Sequence, residues 1–331
     1  MKSKRKHQYQ TLFDGKDIRV KYFGGGASRA LVTFTKWAAK PPAKPVFPSL
    51  AKAGGMSFIG FQSLRNHRWQ TEELPEACAR VQELLGADCD VTTFGMSMGA
   101  TGAVLAAQFL PTNRVVAVAP RPVPPPDLKA VDQPEDDDQV YRNVLRHPRE
   151  AQARMIIPLR PWARPDTDCS ILFDPFHDID RPFVSLIRER CGEIDRWPLA
   201  FSGHMVLSRL KTAGVMRQFT TEMLINGDKH AARQIYRDAR HRLGLHLYHL
   251  GMRQIGQHKG RFPSAVVGLS EYLTERYGPN VQWVERMAEA NASMKNYDKA
   301  AAAYDLCYRV SGRKKFSRLS NKLQIMASRR A

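Results

Sequence analysis

The stretch Asp90-Val91-Thr92-Thr93-Phe94-Gly95-Met96-Ser97-Met98-Gly99-Ala100 decides the fold prediction for this chain. A short run rich in β-branched residues meets Gly-x-Ser-x-Gly, and an Ala- and Gly-rich helical pattern follows at 100–109. This order of strand, tight turn and helix is typical of a nucleophile elbow, in which one serine occupies a strained turn. Such a turn needs neighbours almost without side chains, and Gly95 and Gly99 meet that need. The pattern predicts that Ser97 is a nucleophile at the positive N-terminal end of a helix.

The stretches around this motif alternate between strand and helix patterns, which favours an α/β fold with a mostly parallel sheet and flanking helices. The run Ala-Leu-Val-Thr-Phe-Thr at 30–35 is β-branched and aromatic, as expected of a buried strand. Besides the strand that ends at the serine motif, the sequence predicts strands at 18–23, 30–35, 56–61, 114–119, 170–173 and 198–201.

Residues 18–215 resemble an α/β-hydrolase, because the serine motif is followed in order by an acidic loop and a histidine, each just beyond a strand. The resemblance implies a catalytic triad with Ser97 as nucleophile and His204, in Ser202-Gly203-His204, as base. Residues 121–165 lie where this family inserts a lid. This segment is not apolar enough to indicate a lipase.

Three aspartates in the acidic loop are candidates for the third triad residue. Asp174 touches the end of the strand, too early for the family's reach to the histidine, so we expect it to brace the loop. Asp178 lies five residues beyond the last apolar strand residue, a spacing common in the family. Asp180 stands just before a helix-like segment, where a simple N-cap is the alternative role. The triad role falls to Asp180 or Asp178, with a slight preference for Asp180, and His177 is expected to be a surface or loop histidine.

The chemistry implied is two-step acyl transfer, in which His204 takes the proton from Ser97 and returns it to the leaving group. The oxyanion needs two backbone N–H donors, and by resemblance one is Met98, the residue after the nucleophile. The other comes from Lys36 or Trp37, in a neighbouring loop. Many family members carry His-Gly at this point, and Lys36-Trp37 departs from that pattern. The lysine either places a cation near the site or is merely an exposed loop residue. The reaction needs no metal and no cofactor.

After Gly214 the pattern becomes helical, and two segments align at a period of 35 residues. The matching positions are Tyr248 with Trp283, Phe262 with Tyr297, Ala265 with Ala300, and Leu269 with Tyr304. This spacing of aromatic residues and alanine resembles a tetratricopeptide repeat, whose unit is an antiparallel helix pair. We predict a tetratricopeptide-like domain at 216–310 that either binds a protein partner in a groove or packs as a structural cap.

Composition limits the class of protein. The chain of 331 residues has 51 Lys and Arg against 32 Asp and Glu, a formal net charge of +19. Part of this charge lies in predicted basic tails at 1–17 and 311–331, where ordinary solvated tails are one interpretation. Attraction to an anionic membrane surface or an acidic polysaccharide is the other. Nucleic acid ranks last as a partner, because no base-reading or base-stacking motif accompanies the charge.

The cysteines and the hydropathy pattern predict where the protein works. Five widely spaced cysteines without a Cys-x-x-Cys pair indicate reduced, mostly buried thiols. No run approaches the ~20 apolar residues of a membrane helix, and no apolar segment follows the basic N-terminus. We therefore expect a cytoplasmic protein with no secretory signal and no transmembrane segment.

Together these features predict a serine hydrolase of the esterase or amidase type. The basic, aromatic and amide-bearing loop at 65–70 favours a polar substrate, such as a carbohydrate-linked ester, over a lipid. Two alternatives stay open. One is a catalytically inactive hydrolase-fold scaffold whose helical repeats bind a protein, and the other is an acyltransferase that uses the same triad and excludes water.

Overall fold

The chain forms two compact units, Met1–Leu243 and Gly244–Ala331. The computed structural model describes residues 9–24, 28–38, 40–65, 67–122, 144–177, 179–200, 202–257 and 263–329, with the backbone alone at 245–257, 276 and 277.

An eight-stranded sheet forms the centre of the first unit. Its strands are β1 Gln10–Asp14, β2 Ile18–Phe23, β3 Arg29–Phe34, β4 Ser57–Ser63, β5 Asp90–Met96, β6 Arg114–Val118, β7 Asp168–Phe173 and β8 Asp195–Pro198. Their spatial order is β1-β2-β4-β3-β5-β6-β7-β8. β2 runs antiparallel to β1 and β4, and all the other neighbouring pairs are parallel.

Helices of the first unit connect and cover these strands. They are α1 Pro48–Ala53, α2 Glu73–Leu85, α3 Met98–Ala106, α4 Pro148–Ala153, α5 Asp180–Cys191, α6 Val206–Thr212 and α7 Met216–Thr220, with a π-helix at Thr221–Asn226. A long helix, α8 Lys229–Gln257, starts in this unit.

The central strands are buried along almost their whole length, as expected of a parallel sheet covered on both faces. β4 is buried at every position, and β3 and β7 are buried at all but the first. The elbow helix α3 is buried at every position as well, which its Ala- and Gly-rich sequence permits. The predicted fold class is confirmed: the chain has a mostly parallel sheet with flanking helices, followed by a helical region.

Two segments at the edges of the sheet differ from the prediction. Residues 10–14, which we assigned to a basic tail at 1–17, form β1 and pair antiparallel with β2. The last strand is Asp195–Pro198, whereas the apolar pattern predicted 198–201. This is an edge strand in which only Trp197 is buried, so its polar residues concealed it. Leu199 lies beyond the strand, where its backbone N–H donates to Phe173 O at 2.9 Å.

Residues 216–243, which we assigned to the helical domain, pack within the first unit. Tyr236 Oη donates to Trp197 O at 2.9 Å, and the rings of Phe219 and Tyr236 meet the Trp197 ring edge-on. The Arg233 guanidinium lies 4.6 Å from the centroid of the same ring. These contacts tie the start of α8 to the edge strand, and the compact units accordingly divide after Leu243 rather than after residue 215.

The second unit is built from α9 Pro263–Tyr277, α10 Val281–Ser293, α11 Tyr297–Ser311 and α12 Lys314–Ser328. Helix α12 corrects our assignment of 311–331 to a basic tail. Phe316 is fully buried and stacks on Tyr304, with ring centroids 6.1 Å apart, and Leu323 is buried two turns later. The abundant charge of this segment lies on an amphipathic helix whose apolar face belongs to the core.

Two general features bear on the predicted class of protein. Within the described ranges, no helix is long and apolar enough to cross a membrane. The five cysteines are unpaired and buried, as their spacing indicated, and burial raises the pKa of Cys191 and Cys307 to about 12.

Candidate active site

Ser97 occupies the single-residue turn between β5 and α3, with a strained backbone conformation of φ 54° and ψ −125°. Two glycines make this turn possible. A Cβ atom on Gly95 would lie 1.9 Å from the Gly99 carbonyl oxygen, and one on Gly99 would lie 2.4 Å from the Phe34 carbonyl oxygen. Any larger residue would force the turn open, so the two glycines hold Ser97 at the end of β5 and against the end of β3.

The His204 imidazole lies between Ser97 and Asp180. Its Nε2 is 2.8 Å from Ser97 Oγ, and its Nδ1 is 3.3 Å and 3.4 Å from the two carboxylate oxygens of Asp180. The Asp180 side chain is fully buried. With the ring proton on Nδ1, the imidazole donates to the carboxylate and turns the Nε2 lone pair toward the serine hydroxyl.

Asp174 holds together the two loops that carry Asp180 and His204. Its carboxylate accepts from Phe176 N at 2.9 Å, within its own loop, and from Gly203 N at 2.7 Å, next to the histidine. Asp174 is completely buried, so it cannot reach bulk water, and both bonds fix backbone rather than substrate. This is the bracing role that the sequence predicted for it.

His177 belongs to this cluster. It lies in a loop, one of the two alternatives that we expected, but it is not a surface histidine. Its Nδ1 lies 3.1 Å from Asp180 Oδ1, and only 17% of its side chain is exposed. One buried carboxylate therefore serves two histidines, His177 and His204, whose ring centroids are 5.9 Å apart.

Arg121 reaches the same site from just beyond β6, a position that we had placed at the start of a lid insertion. Its Nε–H donates to His204 Nε2 at 3.3 Å. Its backbone is fixed to α3, since Arg121 N donates to Thr101 Oγ1 at 3.1 Å and Thr101 Oγ1 donates back to Arg121 O at 2.5 Å. No motif in the sequence marks this arginine, because its contacts depend on a loop conformation. Much of the predicted lid, at 123–143, lies outside the described residues.

The protonation states of the cluster follow from burial and from the shared carboxylate. Burial opposes ionisation of Asp180, yet hydrogen bonds from His177 and His204 outweigh it and hold the pKa of Asp180 well below its usual range. Burial lowers the pKa of His204 below its ordinary 6.5; Asp180 opposes this, while Arg121 and His177 add to it. For His177, Asp180 outweighs burial and the pKa is raised. These shifts favour an ionised Asp180 beside a neutral His204, the state that a general base requires.

The other residues predicted for the site lie outside the cluster around His204 and Asp180. Met98 begins α3 directly after Ser97, and its side chain is buried. Lys36 is exposed, and Trp37 is half-buried against the core, in the loop that follows β3. The other candidate acid, Asp178, lies outside the described residues.

The loop at 65–70, which we had considered as a ligand-binding cluster, carries structural contacts instead. Trp69 is fully buried, and its ring is so close to α3 that a Cβ atom on Gly102 would lie 2.7 Å from it. The Gln70 side chain donates to Ile157 O at 3.0 Å and accepts from Ile157 N at 2.9 Å. In the part of the chain that is described, no group of three or more His, Cys, Asp or Glu residues could hold a metal ion.

No protein-family model and no curated protein sequence matches this chain. Solved structures do match. The capsule O-acetyltransferase of Neisseria meningitidis serogroup A is 14% identical over 64% of this chain and 93% of that one, with a TM-score of 0.43. A lidless α/β serine hydrolase from Xanthomonas campestris is 14% identical over 66% and 94%, at a TM-score of 0.36. The acetyl xylan esterase from Paenibacillus sp. R4 is 12% identical over 66% and 88%, at a TM-score of 0.37. At such identities a likeness concerns the fold and says nothing of the reaction.

Proposed function

We propose that this chain is a serine hydrolase of the esterase or amidase type, with Ser97 as nucleophile, His204 as general base and Asp180 as the acid that orients the base. One observation carries the proposal: the His204 ring joins Ser97 Oγ at 2.8 Å to the buried Asp180 carboxylate at 3.3 Å. A serine is a weak nucleophile unless a base takes its proton, and a base is effective only in the correct tautomer.

The reaction would proceed in two steps. Ser97 Oγ attacks the substrate carbonyl carbon while His204 Nε2 accepts the hydroxyl proton, and collapse of the tetrahedral intermediate expels the alcohol or amine with that proton. Water then repeats the sequence on the acyl-serine, releases the acid and restores Ser97. The Met98 N–H, at the start of α3, is suited to bind the oxyanion, with a second N–H from Lys36 or Trp37.

A polar substrate fits this site better than a lipid does. The His204 imidazole contacts the serine, and the Arg121 guanidinium and the His177 imidazole lie next to His204; all three interact favourably with polar or charged ligands. A carbohydrate-linked ester is one such substrate. An acyltransferase would use the same three residues and differ only in passing the acyl group to an alcohol acceptor instead of water.

The second unit supports a separate proposal, that α9–α12 form tetratricopeptide-like helix pairs that bind a protein partner or act as a cap. Three positions of the predicted repeat, Trp283, Ala300 and Tyr304, lie buried in one core cluster, as a packed helix pair requires. The five buried, unpaired thiols fit a reducing compartment, and we place the protein in the cytoplasm on that ground.

Hydrolysis of p-nitrophenyl acetate by the full chain tests the proposed function. Ser97→Ala and His204→Ala should each lower kcat by about 10⁴-fold or more, because triad members act as a unit. Ser208→Ala, on α6, is a matched control that removes a hydroxyl outside the site and should retain wild-type activity. Activity that survives in a folded Ser97→Ala protein would support the scaffold alternative.

A further inference from the structure

The last helix of the second unit, α12, has a buried apolar face and an exposed basic face. Phe316, Ser320 and Leu323 are buried, at a spacing that places them on one side of the helix. The opposite side carries four exposed cations, which we call the basic stripe: Lys314, Arg318, Lys322 and Arg329. Their spacing of four, four and seven residues keeps all four side chains on one face.

The basic stripe has no acidic partner among the described residues. The chain has eight Lys and Arg but no Asp or Glu at 306–331. Nearby acids of the two preceding helices pair with other cations: Glu285 Oε1 lies 3.0 Å from Lys315 Nζ, and Asp305 Oδ2 lies 3.1 Å from Arg309 Nε. The positive charge of the stripe is therefore not neutralised by the described part of the chain.

Helix stability does not account for where these cations lie. Lys314 begins α12 and Lys315 follows it, and the first turn has no acidic residue. A helix carries a partial positive charge at its N-terminal end, so two lysines there are destabilising. Of the stripe, Arg329 alone has the sign that the dipole favours at its position. A stripe that opposes the stability of its own helix points to an anion outside the chain.

Exposed apolar side chains on α12 distinguish between the anions that could bind there. Ile325 lies within the face of the stripe and is 55% exposed, and Leu319 and Met326, at its edge, are 37% and 36% exposed. Nucleic acids and acidic polysaccharides attract cations but offer no apolar layer to such side chains. A lipid surface offers both, because phosphate groups attract Lys and Arg while apolar side chains enter the boundary between headgroups and acyl chains.

We propose that α12 binds the surface of an anionic lipid membrane through the basic stripe and Ile325. The helix lies on the surface, since its larger apolar face is packed in the core of the second unit and cannot insert into lipid. Attraction by four exposed cations is screened by salt, so the binding is reversible and depends on ionic strength.

Co-sedimentation of the full chain with lipid vesicles tests the proposal. The protein should bind phosphatidylcholine vesicles that contain about one third phosphatidylglycerol, release them at about 0.5 M salt, and ignore pure phosphatidylcholine. Replacement of all four cations of the stripe by Gln should lower the partition coefficient by about 100-fold or more, since each contributes about fivefold.

A matched control removes the same number of charges from exposed positions on other helices. Its substitutions are Lys211→Gln, Arg237→Gln, Arg240→Gln and Lys299→Gln. Because these cations lie outside the stripe, the control should bind within about threefold of wild type. Equal losses in the two variants would show that only net charge matters and would overturn the proposal. So would a wild-type protein that binds anionic and neutral vesicles alike.

Ile325→Ser separates a lipid surface from other polyanions. It keeps every charge, lies at an exposed position and changes helix propensity little, and circular dichroism verifies that the fold is retained. Loss of its apolar contact should weaken vesicle binding by about fivefold and leave binding to heparin or duplex DNA unchanged. Vesicle binding that is insensitive to Ile325→Ser, with tighter binding to duplex DNA or heparin, would contradict a lipid partner.

Discussion

Replacement of Gly95 by alanine probes how tightly the turn at Ser97 is constrained. The new Cβ atom would lie 1.9 Å from Gly99 O, 2.2 Å from Gly99 C and 2.6 Å from Ala100 N. All three are backbone atoms at the start of α3, so no side chain can rotate away. Since Cβ contacts under 3.0 Å essentially never occur, the helix start has to move by about 1 Å relative to β5.

The size of this shift sets the expected effect. A displacement of about 1 Å between catalytic groups costs on the order of 100-fold in rate, because Ser97 Oγ and His204 Nε2 are then misaligned. Overpacking of this kind also destabilises a protein by about 1–3 kcal/mol. We expect Gly95→Ala to lower kcat/KM for p-nitrophenyl acetate and the rate of fluorophosphonate labelling by about 100-fold. Urea unfolding followed by tryptophan fluorescence reports the stability, since four of the five tryptophans lie in the first unit.

A glycine with open space around it provides the matched control. Gly268 lies on α9, and a Cβ atom there would have no neighbour within 4 Å. Gly268→Ala should keep full activity and stabilise its helix by about 0.5–1 kcal/mol. If Gly95→Ala labelled at the wild-type rate with unchanged stability, the account of Ser97 as a residue held by two glycines would be refuted.

Three further predictions concern Asp180, the neighbouring His177, and the core of the second unit. Asp180→Asn should lower kcat/KM by about 10³- to 10⁴-fold in steady-state hydrolysis, because an amide no longer fixes the tautomer of His204. His177→Asn should move the acidic limb of the kcat/KM profile to higher pH: the active form is neutral His204, and the charge of His177 lowers the pKa at which that form is lost. Phe316→Ala should destabilise the second unit by about 3–5 kcal/mol in urea unfolding followed by circular dichroism.

Each of these variants has a matched control. Asp178→Asn changes the alternative acid and should leave kcat/KM within about twofold; equal losses in Asp178→Asn and Asp180→Asn would contradict our choice of acid. His230→Asn, at an exposed position, should leave the pH profile unchanged. If the acidic limb stays in place in His177→Asn, the charge of His177 does not affect the pKa of His204. Leu319→Ala, on the exposed side of α12, should cost little, and a midpoint as low as that of Phe316→Ala would argue against a buried core there.

The centre of the sheet was predictable because its strands are buried on both faces. Such strands are continuous apolar runs, and those predicted at 30–35 and 56–61 end within two residues of the observed β3 and β4. The edge strands were not predictable, because a strand with one neighbour needs few apolar residues. Gln10–Asp14 resembles a polar tail, and Asp195–Pro198 buries only Trp197. In α12, a high local charge concealed two buried apolar residues, Phe316 and Leu323.

At the candidate site, sequence order predicted the residues that lie in a motif or follow the end of a strand. Ser97, His204 and Asp180 were each predicted in this way, and the structure brings their side chains together. His177 and Arg121 reach the cluster through loop conformations that no spacing encodes. The sequence left two aspartates open, and the contact of Asp180 with the imidazole depends on the fold, because no spacing shows which way a carboxylate faces.

Labelling of the purified full-length chain with a fluorophosphonate probe, read by intact mass, shows whether His204 activates Ser97 as a nucleophile. A single adduct should map to Ser97 and be absent from Ser97→Ala and His204→Ala, since the probe reacts only with a serine that a base has activated. A folded wild-type protein that forms no adduct, or an adduct that persists in both variants, would contradict this activation.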